Sequence, residues 1–413
     1  MSATTPATNP QTRPAVRLLD RRTPPHILTL VAMAGLSALT MNVFLPSLPG
    51  MAVFFGVPYA QMQLAVTLYL GLSAALQIIL GPLSDRYGRR PVLLASGAIF
   101  LMASLGTILA PTVEVFLICR MAQAVIASGL VLSRAIVRDM VSDAEAASMI
   151  GYVTMGMSIV PMVGPVLGGL LDEAFGWQAN FGLLLGLGVL VMALIWFDLG
   201  ETATRRQASF AAQVRLYPIL FTSRRFWGYA AAAMGASGAF FSYLGGAPFV
   251  GGVVFGLSPA EVGFYFAIPA AGYGLGNFLS GRFSARVGMD RMVLAGSLVL
   301  GAGMAASLGL SLAGLSNATV FFALVSTVGI GNGMTLPNAT AGMMSVRPDL
   351  AGTASGLGGV LTIGGGAAMS AVAGLLLVPG ATEVALLALM FGSAVVSVIA
   401  TLAVIRRDRP AAG

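Results

Sequence analysis

The sequence has no lysine, a single cysteine and a single histidine in 413 residues. Because Cys119 has no second cysteine to pair with, an intrachain disulfide is excluded, and its apolar neighbours predict a buried, inert thiol. The glycine-rich phosphate loop of ATP-driven pumps contains a lysine, so the sequence gives no support for this class of pump. His26, at the start of an apolar run, is expected at an interface. No pattern indicates an enzyme, a cofactor or a metal site.

Charge is scarce too, since charged residues make up 9% of the chain and hydrophobic residues 57%, with a mean hydropathy of +0.89. Soluble domains have about 25% charged and roughly 45–50% apolar residues. Apolar runs of about twenty residues between sparse charges are typical of transmembrane helices, which need that length to cross a bilayer. The composition therefore predicts an all-α integral membrane protein.

Twelve transmembrane helices are predicted, six on each side of the longest internal polar stretch. The predicted spans are 26–46, 60–82, 91–110, 113–136, 148–171, 178–199, 226–250, 260–283, 290–314, 317–343, 351–376 and 380–405. They imply a disordered cytoplasmic tail over 1–25, a six-helix bundle over 26–200, a cytoplasmic linker over 201–225, a second six-helix bundle over 226–405 and a short tail over 406–413.

All 22 cations are arginines, and all except Arg120 occur in the two tails or in and beside every second loop between the predicted helices. The loops between these carry acids alone, namely Glu114, Asp172, Glu173, Glu261 and Glu383. This alternation follows the positive-inside rule and predicts that both termini face the cytoplasm. The net charge of +7 then marks one membrane face and its contact with anionic lipid, and predicts no nucleic-acid partner.

One charged stretch, GPLSDRYGRR at 81–90, recurs two hundred residues later as GRFSARVGMD at 281–290. The copy keeps two glycines, a serine and an arginine but has Ala285 in the place of Asp85. Two similarly oriented six-helix units are related by a pseudo-two-fold axis along the membrane normal. Such units can rock about a central site, so the repeat predicts alternating access.

The order of residues in GPLSDRYGRR resembles the signature loop between helices 2 and 3 of the major facilitator superfamily. In that family the loop latches the cytoplasmic side against the start of helix 11 and the end of helix 4. The resemblance implies contacts of Asp85 with Gly352 and Thr353, or with the arginines of helix 4. Carried over to this chain, the latch comprises Gly81, Asp85, Arg86, Gly88, Arg89 and Arg90, with Arg134 and Arg138 at the end of helix 4.

Other stretches extend the resemblance over most of the chain. RMAQAVIASG at 120–129 is similar to the helix-4 motif of the family, and NVFLPSLP at 42–49 with RAIVRD at 134–139 looks most like the bicyclomycin/chloramphenicol-resistance branch of drug exporters. PMVGPVLGG at 161–169 resembles the helix-5 motif that is typical of antiporters. The matching residues of that motif are Pro161, Gly164, Pro165, Gly168 and Gly169.

Arg120 is the one arginine that the predicted topology places inside the membrane, where a charge is costly and indicates a functional site. At about 1.5 Å of rise per residue, Arg120 and Asn42 lie at similar depths in the outer half of the bundle. Gln123 follows on the face of Arg120. We expect these residues at a substrate cavity, although snorkelling of Arg120 to the outer headgroups is the alternative.

Polar residues at helical spacing mark further positions, because unpaired amides do not face lipid. They serve either substrate contact or helix packing, and the sequence leaves both open. Together with Asn42, Arg120 and Gln123, the predicted cavity residues are Tyr69 and Gln77 on helix 2, Tyr273 and Asn277 on helix 8, and Asn332 and Asn338 on helix 10.

Asn42 departs from the resembled branch, whose helix 1 usually has an aspartate at this place as the expected proton carrier. An amide does not titrate, and no acid falls in the middle of a predicted helix. The resemblance implies a monomeric, proton-driven exporter of small amphiphilic drugs or metabolites in a bacterial inner membrane. A dedicated metabolite exporter or importer without proton coupling is the alternative, and a channel or receptor fits the repeat and latch less well.

Overall fold

The structure, a computed structural model, describes residues 16–141, 145, 149–150, 152–153, 160–203, 217–347 and 350–408. Within these ranges the chain is helical, with twelve long helices and a short helix, Tyr217–Phe221. The long helices are α1 Ile27–Phe55, α2 Tyr59–Tyr87, α3 Arg89–Ile108, α4 Val113–Met140, α5 Val160–Phe175, α6 Gln178–Asp198, α7 Arg224–Val254, α8 Pro259–Val287, α9 Met289–Leu312, α10 Ala318–Ser345, α11 Ala351–Leu376 and α12 Glu383–Asp408.

Each predicted span coincides with one of these helices, although the start of the predicted span 148–171 lies outside the described residues. Ten of the helices are long and apolar enough to cross a membrane. The two others are α5, described over 16 residues, and α8, which carries the polar residues Tyr273 and Asn277. These two helices pack against each other. The prediction of an all-α membrane fold is therefore confirmed.

Two helix ends differ from the prediction. α1 continues to Phe55 because its break after Asn42 is bridged by a short 3-10 turn, Leu45–Ser47, before the helix resumes at Leu48. α2 continues through Pro82 to Tyr87, so most of the charged stretch is helix. The sharp turn itself is confined to Gly88, whose φ of 100° is a left-handed conformation that favours glycine.

Helix packing repeats with a shift of six helices. α1 packs against α4 and α6, and α3 packs against α6, just as α7 packs against α10 and α12, and α9 against α12. Between the first six helices and the last six, α2 packs against α11 and α5 against α8. The repeat detected in the charged stretch therefore extends to the tertiary contacts of the described helices.

The two ends of the molecule differ in charge. We call the end with Arg86, Arg89, Arg90, Arg134 and Arg138 the arginine-rich end, and the end with Glu114, Asp172, Glu173, Glu261 and Glu383 the acidic end. Aromatic side chains close the core near the acidic end, where Phe116 contacts the rings of Phe55, Trp177 and Phe181 within 5.8 Å between centroids. At the opposite end the described ring contacts are those of Trp227 with Phe221 and Phe226, at the start of α7.

Candidate functional site

The charged turn at the arginine-rich end is organised around Arg89, whose residue is only 9% exposed. Its guanidinium pairs with Asp85 at 2.6 Å and with Asp139 of α4 at 3.1 Å, and it donates a hydrogen bond to the hydroxyl of Ser84. A charged group that is nearly enclosed needs such paired and hydrogen-bonded partners. Arg89 therefore fixes the ends of α2, α3 and α4 relative to one another.

The expected contact of Asp85 with the second half is wrong for this structure. Within the described residues the carboxylate of Asp85 pairs with Arg89 alone, and it contacts neither Thr353 nor Arg134 or Arg138. The physical reason is that Arg89, one helical turn further along the chain, supplies a guanidinium within 2.6 Å of this carboxylate. Arg86 lies over the ring of Tyr87, 5.3 Å from its centroid.

Glu201, which the sequence analysis did not single out, holds the start of α3. Its carboxylate accepts hydrogen bonds from the backbone N–H groups of Arg89 at 2.8 Å and Arg90 at 3.3 Å. A carboxylate is favourable at a helix N-terminus because the first N–H groups lack partners within the helix. A side chain at Gly88 would collide with this carboxylate. The sequence signal that could have identified Glu201 is an acidic residue shortly after helix 6.

The copy of the turn in the second half lacks this arrangement. Gly288 repeats the left-handed backbone with a φ of 89°, but a Cβ there would meet no atom within 4 Å. Ala285 provides no carboxylate, and Asp290 instead accepts a hydrogen bond from the hydroxyl of Tyr229 in α7. The second half thus repeats the backbone of the turn but, within the described residues, does not repeat its ion-pair network.

At the acidic end the halves are joined directly. Tyr59 of α2 donates its hydroxyl to the carbonyl of Gly245 at 2.6 Å, and the Gln63 amide donates to the carbonyl of Ser370 at 2.5 Å. The hydroxyls of Thr67 and Ser370 lie 3.5 Å apart. All described hydrogen bonds between the two halves lie in this region or at Glu173, which accepts from the backbone of α8. Sequence reasoning missed Gln63 because its partner is a backbone group 307 residues away.

The glycines of the helix-5 motif permit close packing on two faces of α5. A Cβ at Gly168 would collide with the carbonyl of Val43, at the break of α1, and a Cβ at Gly164 would lie 3.1 Å from Leu39. On the other face, a Cβ at Gly169 would collide with the carbonyl of Pro259 in α8. Small residues permit such close backbone contact between membrane helices. The remaining motif residues, Pro161 and Pro165, lie in the same helix.

Arg120 is 1% exposed and lies between two aromatic rings, with its guanidinium carbon 4.0 Å from the centroid of Tyr69 and 4.4 Å from that of Phe44. It donates to the carbonyl of Thr40 at 2.7 Å and to the Gln123 side chain at 2.8 Å. Thr40 lies in the last turn before the break of α1, where carbonyls lack partners within the helix. Snorkelling, the alternative left open by the sequence, is therefore not observed, and the cation pairs with the carbonyl at a broken helix end.

Most predicted cavity amides are buried between helices in this structure. Asn42 donates to the carbonyl of Ala38 in its own helix, and Gln123 donates to the hydroxyl of Ser104. Both residues are at most 1% exposed. Asn332 and Asn338, on α10, are also buried, and their amides donate to the Ala236 carbonyl at 3.0 Å and the Ser280 hydroxyl at 2.8 Å. Of the two roles left open by the sequence, this geometry favours helix packing for these four.

Three predicted residues differ from these four in burial, since Gln77, Tyr273 and Asn277 are only half-buried. Arg134 and Arg138, at the arginine-rich end of α4, are exposed. Arg134 is also close enough to Tyr273 of α8 for the two groups to interact electrostatically.

A further buried acid, Asp198, fastens the start of α1. Its carboxylate accepts hydrogen bonds from the backbone N–H groups of Leu19 at 2.7 Å and His26 at 2.8 Å, and from the hydroxyl of Thr29 at 2.6 Å. His26 caps α1 through its ring nitrogen, which accepts from the N–H of Leu28. In the sequence Asp198 is a single acid at the end of a helix, and nothing near it indicates these partners.

Comparison with known proteins places this geometry in a family. The sequence profile of the Major Facilitator Superfamily matches residues 30–371. A chloramphenicol resistance protein of Pseudomonas aeruginosa is 33% identical over 347 residues, covering 81% of each chain. Multidrug resistance protein D of Escherichia coli K12 is 28% identical, covering 82% of this chain and 86% of its own. These relatives confirm the resemblance to the drug-resistance branch.

The fold is similar to that of solved transporters. A bacterial homolog of the human lysosomal transporter Spinster, in an inward-facing and occupied conformation, superposes with a TM-score of 0.70 at 18% identity. The match covers 93% of this chain and 96% of the other. At this identity the similarity establishes the fold alone.

Proposed function

The chain belongs to the Major Facilitator Superfamily, and we propose that it exports small amphiphilic drugs or metabolites from the cytoplasm by alternating access. It is a multi-pass membrane transporter of small molecules and not an enzyme. Drug export is carried over from the chloramphenicol and multidrug resistance proteins among its relatives.

The proposed architecture is two six-helix bundles, 26–200 and 226–405, joined by the linker 201–225 and related by a pseudo-two-fold axis. The helix pairings that repeat with a shift of six support it. The arginine-rich end is proposed to face the cytoplasm of a bacterial cell with the inner membrane around the bundles, because cytoplasmic loops carry the excess of arginine. Both termini are then cytoplasmic, and the transporter is proposed to act as a monomer.

The observation that supports alternating access is that the two halves are joined by hydrogen bonds at one end of the molecule. Hydrogen bonds join the halves at the acidic end through Tyr59, Gln63 and Thr67, whereas Asp85 and Arg89 pair within one half at the arginine-rich end. Neutral hydrogen bonds contribute about 0.5–1.5 kcal/mol each, so the closed end can open without a large loss. We infer that this structure is the state with the passage open to the cytoplasm.

In the opposite state the latch is proposed to form. As the arginine-rich end closes, the carboxylate of Asp85 exchanges its contact with Arg89 for the start of α11 at Thr353. Arg89 keeps Asp139 as its partner at 3.1 Å, so no buried guanidinium is left without a carboxylate during the exchange.

The two candidate functions differ in whether transport is coupled to protons. Proton-driven antiport is typical of the resembled branch, but Asn42 is a buried amide that cannot carry a proton. This observation favours transport without proton coupling, which is the feature that defines the alternative, a dedicated exporter or importer of one metabolite. Transport by the purified protein in liposomes, with and without a pH gradient, distinguishes the two, because antiport requires that the rate depend on the gradient.

A drug-susceptibility panel in an efflux-deficient bacterial host tests export itself. Expression of the wild-type chain is expected to raise the inhibitory concentration of chloramphenicol or another neutral amphiphile at least fourfold. Arg120→Ala, expressed to the same level in the membrane, is expected to abolish this protection. Protection that is absent for every compound with the wild-type chain contradicts drug export and leaves the metabolite transporter as the function.

A further inference from the structure

The strongest unassigned feature is the stretch 16–23, which precedes α1 and is fastened to the end of α6. The carboxylate of Asp198 accepts a hydrogen bond from the backbone N–H of Leu19 at 2.7 Å. Close by, the backbone of Gly200 packs so tightly against the stretch that a Cβ there would collide with the carbonyl of Arg21. We call residues 16–23 the N-terminal turn. Its position is therefore fixed by the last residues of a long helix.

The end of α6 places the N-terminal turn at a membrane surface. α6 is long and apolar enough to cross a bilayer, and near its end Trp196 and Phe197 are 51% and 57% exposed. Exposed aromatic side chains at the end of a transmembrane helix favour the interface between the hydrocarbon and the headgroups. Asp198, which holds the N-terminal turn, directly follows Phe197. The turn therefore lies at the level of the lipid headgroups.

The exposed side chains of the N-terminal turn are of two kinds. The apolar ones are Val16, Leu18 and Leu19. The cationic ones are Arg17, Arg21 and Arg22. In the part of the chain that the structure describes, none of these three guanidinium groups makes a hydrogen bond or an ion pair. Apolar and cationic side chains side by side are typical of segments that lie in a membrane interface.

A fourth arginine reaches the same helix end from α3. The guanidinium carbon of Arg90 lies 5.2 Å from the ring centroid of Trp196, and the group donates to the carbonyl of that residue at 3.1 Å. Its Nε is buried without a partner among the described residues. Cations thus flank the end of α6 on two sides, Arg90 at Trp196 and Arg21 at Gly200.

The acids near these cations are engaged by backbone groups. Asp198 accepts from the N-terminal turn, and Glu201 accepts from the start of α3. Asp20, within the turn, accepts from the backbone N–H of Arg22 at 3.1 Å. With three arginines and one acid, the turn keeps a net charge of +2. This charge is complementary to the surface of a leaflet that contains anionic lipid.

We propose that the N-terminal turn, with Arg90 and the exposed rings of α6, is a binding site for an anionic phospholipid in the leaflet at the arginine-rich end. The guanidinium groups donate to the phosphate oxygens, and the acyl chains lie against Leu18, Trp196 and Phe197. A phospholipid accounts for both kinds of side chain, because a soluble anion would leave the apolar ones uncovered. The site rests on the proposed function only for the assignment of that leaflet to the cytoplasm.

The lipid preference of the turn is measured without any transport substrate. In a Cys119→Ser background, Leu18→Cys provides a single thiol for a bimane probe in purified protein reconstituted in mixed phosphatidylcholine and phosphatidylglycerol vesicles. A nitroxide on the acyl chain of one lipid or the other quenches the probe according to the local concentration of that lipid. At equal content, phosphatidylglycerol is expected to quench about fivefold more than phosphatidylcholine, and high salt should lower this ratio because exposed charges are screened.

The cations of the turn are tested by combining Arg17→Gln, Arg21→Gln and Arg22→Gln. This variant is expected to bring the quenching ratio below about twofold, because the turn then has no positive charge.

The matched control combines Arg282→Gln, Arg286→Gln and Arg291→Gln, at exposed positions of the same end in the second half. It removes the same charge and should leave the ratio unchanged. An equal effect of the two triple variants would reduce the preference to the net charge of the protein and overturn the site.

The fastening of the turn is tested without changing any charge. Gly200→Val should displace the turn, since its side chain takes the place of the Arg21 carbonyl, and the quenching ratio is expected to fall as in the first triple variant. Gly186→Val in the same helix is the control, because a Cβ there meets nothing within 4 Å. A ratio that is the same in both glycine variants would contradict the site as described.

Two results with the unaltered turn would also overturn the proposal. A quenching ratio near one shows that the turn does not distinguish an anionic lipid from a neutral one. Weak quenching by both lipids shows that protein covers the turn, as a second copy of the chain would.

Labelling of Leu18→Cys in intact cells separates the site from the proposed orientation. A membrane-impermeant maleimide is expected to react with this cysteine only after the cells are permeabilised. Reaction in intact cells, with the quenching ratio retained, would overturn the orientation and leave the lipid site. A ratio near one without reaction in intact cells would overturn the site and leave the orientation.

Discussion

Arg120 shows how a single residue can be both costly and necessary in this membrane protein. Its charge is buried without a carboxylate partner among the described residues. The acceptor oxygens of Thr40 and Gln123, together with two aromatic faces, take the place of that carboxylate. Arginine suits this place better than lysine because its planar group stacks on rings and donates in several directions. The residue identified from the sequence as a cavity group is thus also a structural group at the break of α1.

Removing this side chain is therefore expected to destabilise the protein as well as stop transport. Arg120→Ala leaves the carbonyl of Thr40 and the amide oxygen of Gln123 unpaired, and each unsatisfied buried group costs about 1–3 kcal/mol. We expect the midpoint of thermal unfolding in detergent to fall by several degrees, with a smaller fall for Arg120→Lys. Arg282→Ala, at an exposed site, is the control, and equal midpoints for all three would contradict the packing role.

At the scale of one element, α5 is a helix with two close interfaces. Gly168 permits contact with the break of α1, and Gly169 permits contact with the first residue of α8. The second interface joins the halves at the acidic end, beside the bond from the Ala260 N–H to Glu173 at 3.2 Å. The helix-5 motif therefore seals that end of the passage through backbone contact.

A side chain at Gly169 should open this seal. In a Cys119→Ser background with Ala260→Cys, we expect Gly169→Val to raise labelling by a membrane-impermeant maleimide from outside the cell several-fold and to lower transport about tenfold. Gly182→Val is the matched control, since a Cβ there meets nothing within 4 Å. Labelling that is the same in both variants would show that α5 and α8 do not form the seal.

For the whole molecule, the decisive property is that the halves touch at the acidic end in this state. Thr67 and Ser370 bring their hydroxyls within 3.5 Å across the two halves, so cysteines at these two positions are expected to bring their sulfur atoms close together. Ser297 and Ser397 lie at 2.8 Å within the second half, between α9 and α12. The two pairs differ in whether a crosslink spans the moving interface.

Crosslinking is therefore expected to distinguish movement of one half against the other from local flexibility within a half. In a Cys119→Ser background, oxidation of Thr67→Cys with Ser370→Cys should abolish transport in proteoliposomes, and a reductant should restore it. Oxidation of Ser297→Cys with Ser397→Cys should leave the rate within about twofold. Full transport by the completely crosslinked first pair would contradict alternating access between these halves.

Hydropathy and charge by themselves determined the twelve helices, the repeat and the division into an arginine-rich and an acidic end. The bilayer makes this possible, because it imposes a length and a polarity on each segment that can be read one segment at a time. The same reasoning identified Arg120, since a charge inside an apolar run is visible locally.

The tertiary structure decided the partners. Gln63 with Ser370, Asp198 with the start of α1, Glu201 with the start of α3, and the pairing of Asp85 within its own half all depend on how helices rotate and which ends meet. Rotation of a helix about its axis leaves its composition unchanged, so no local pattern fixes these contacts. In the proposed mechanism the partner of Asp85 also changes between two states, and both states share one sequence.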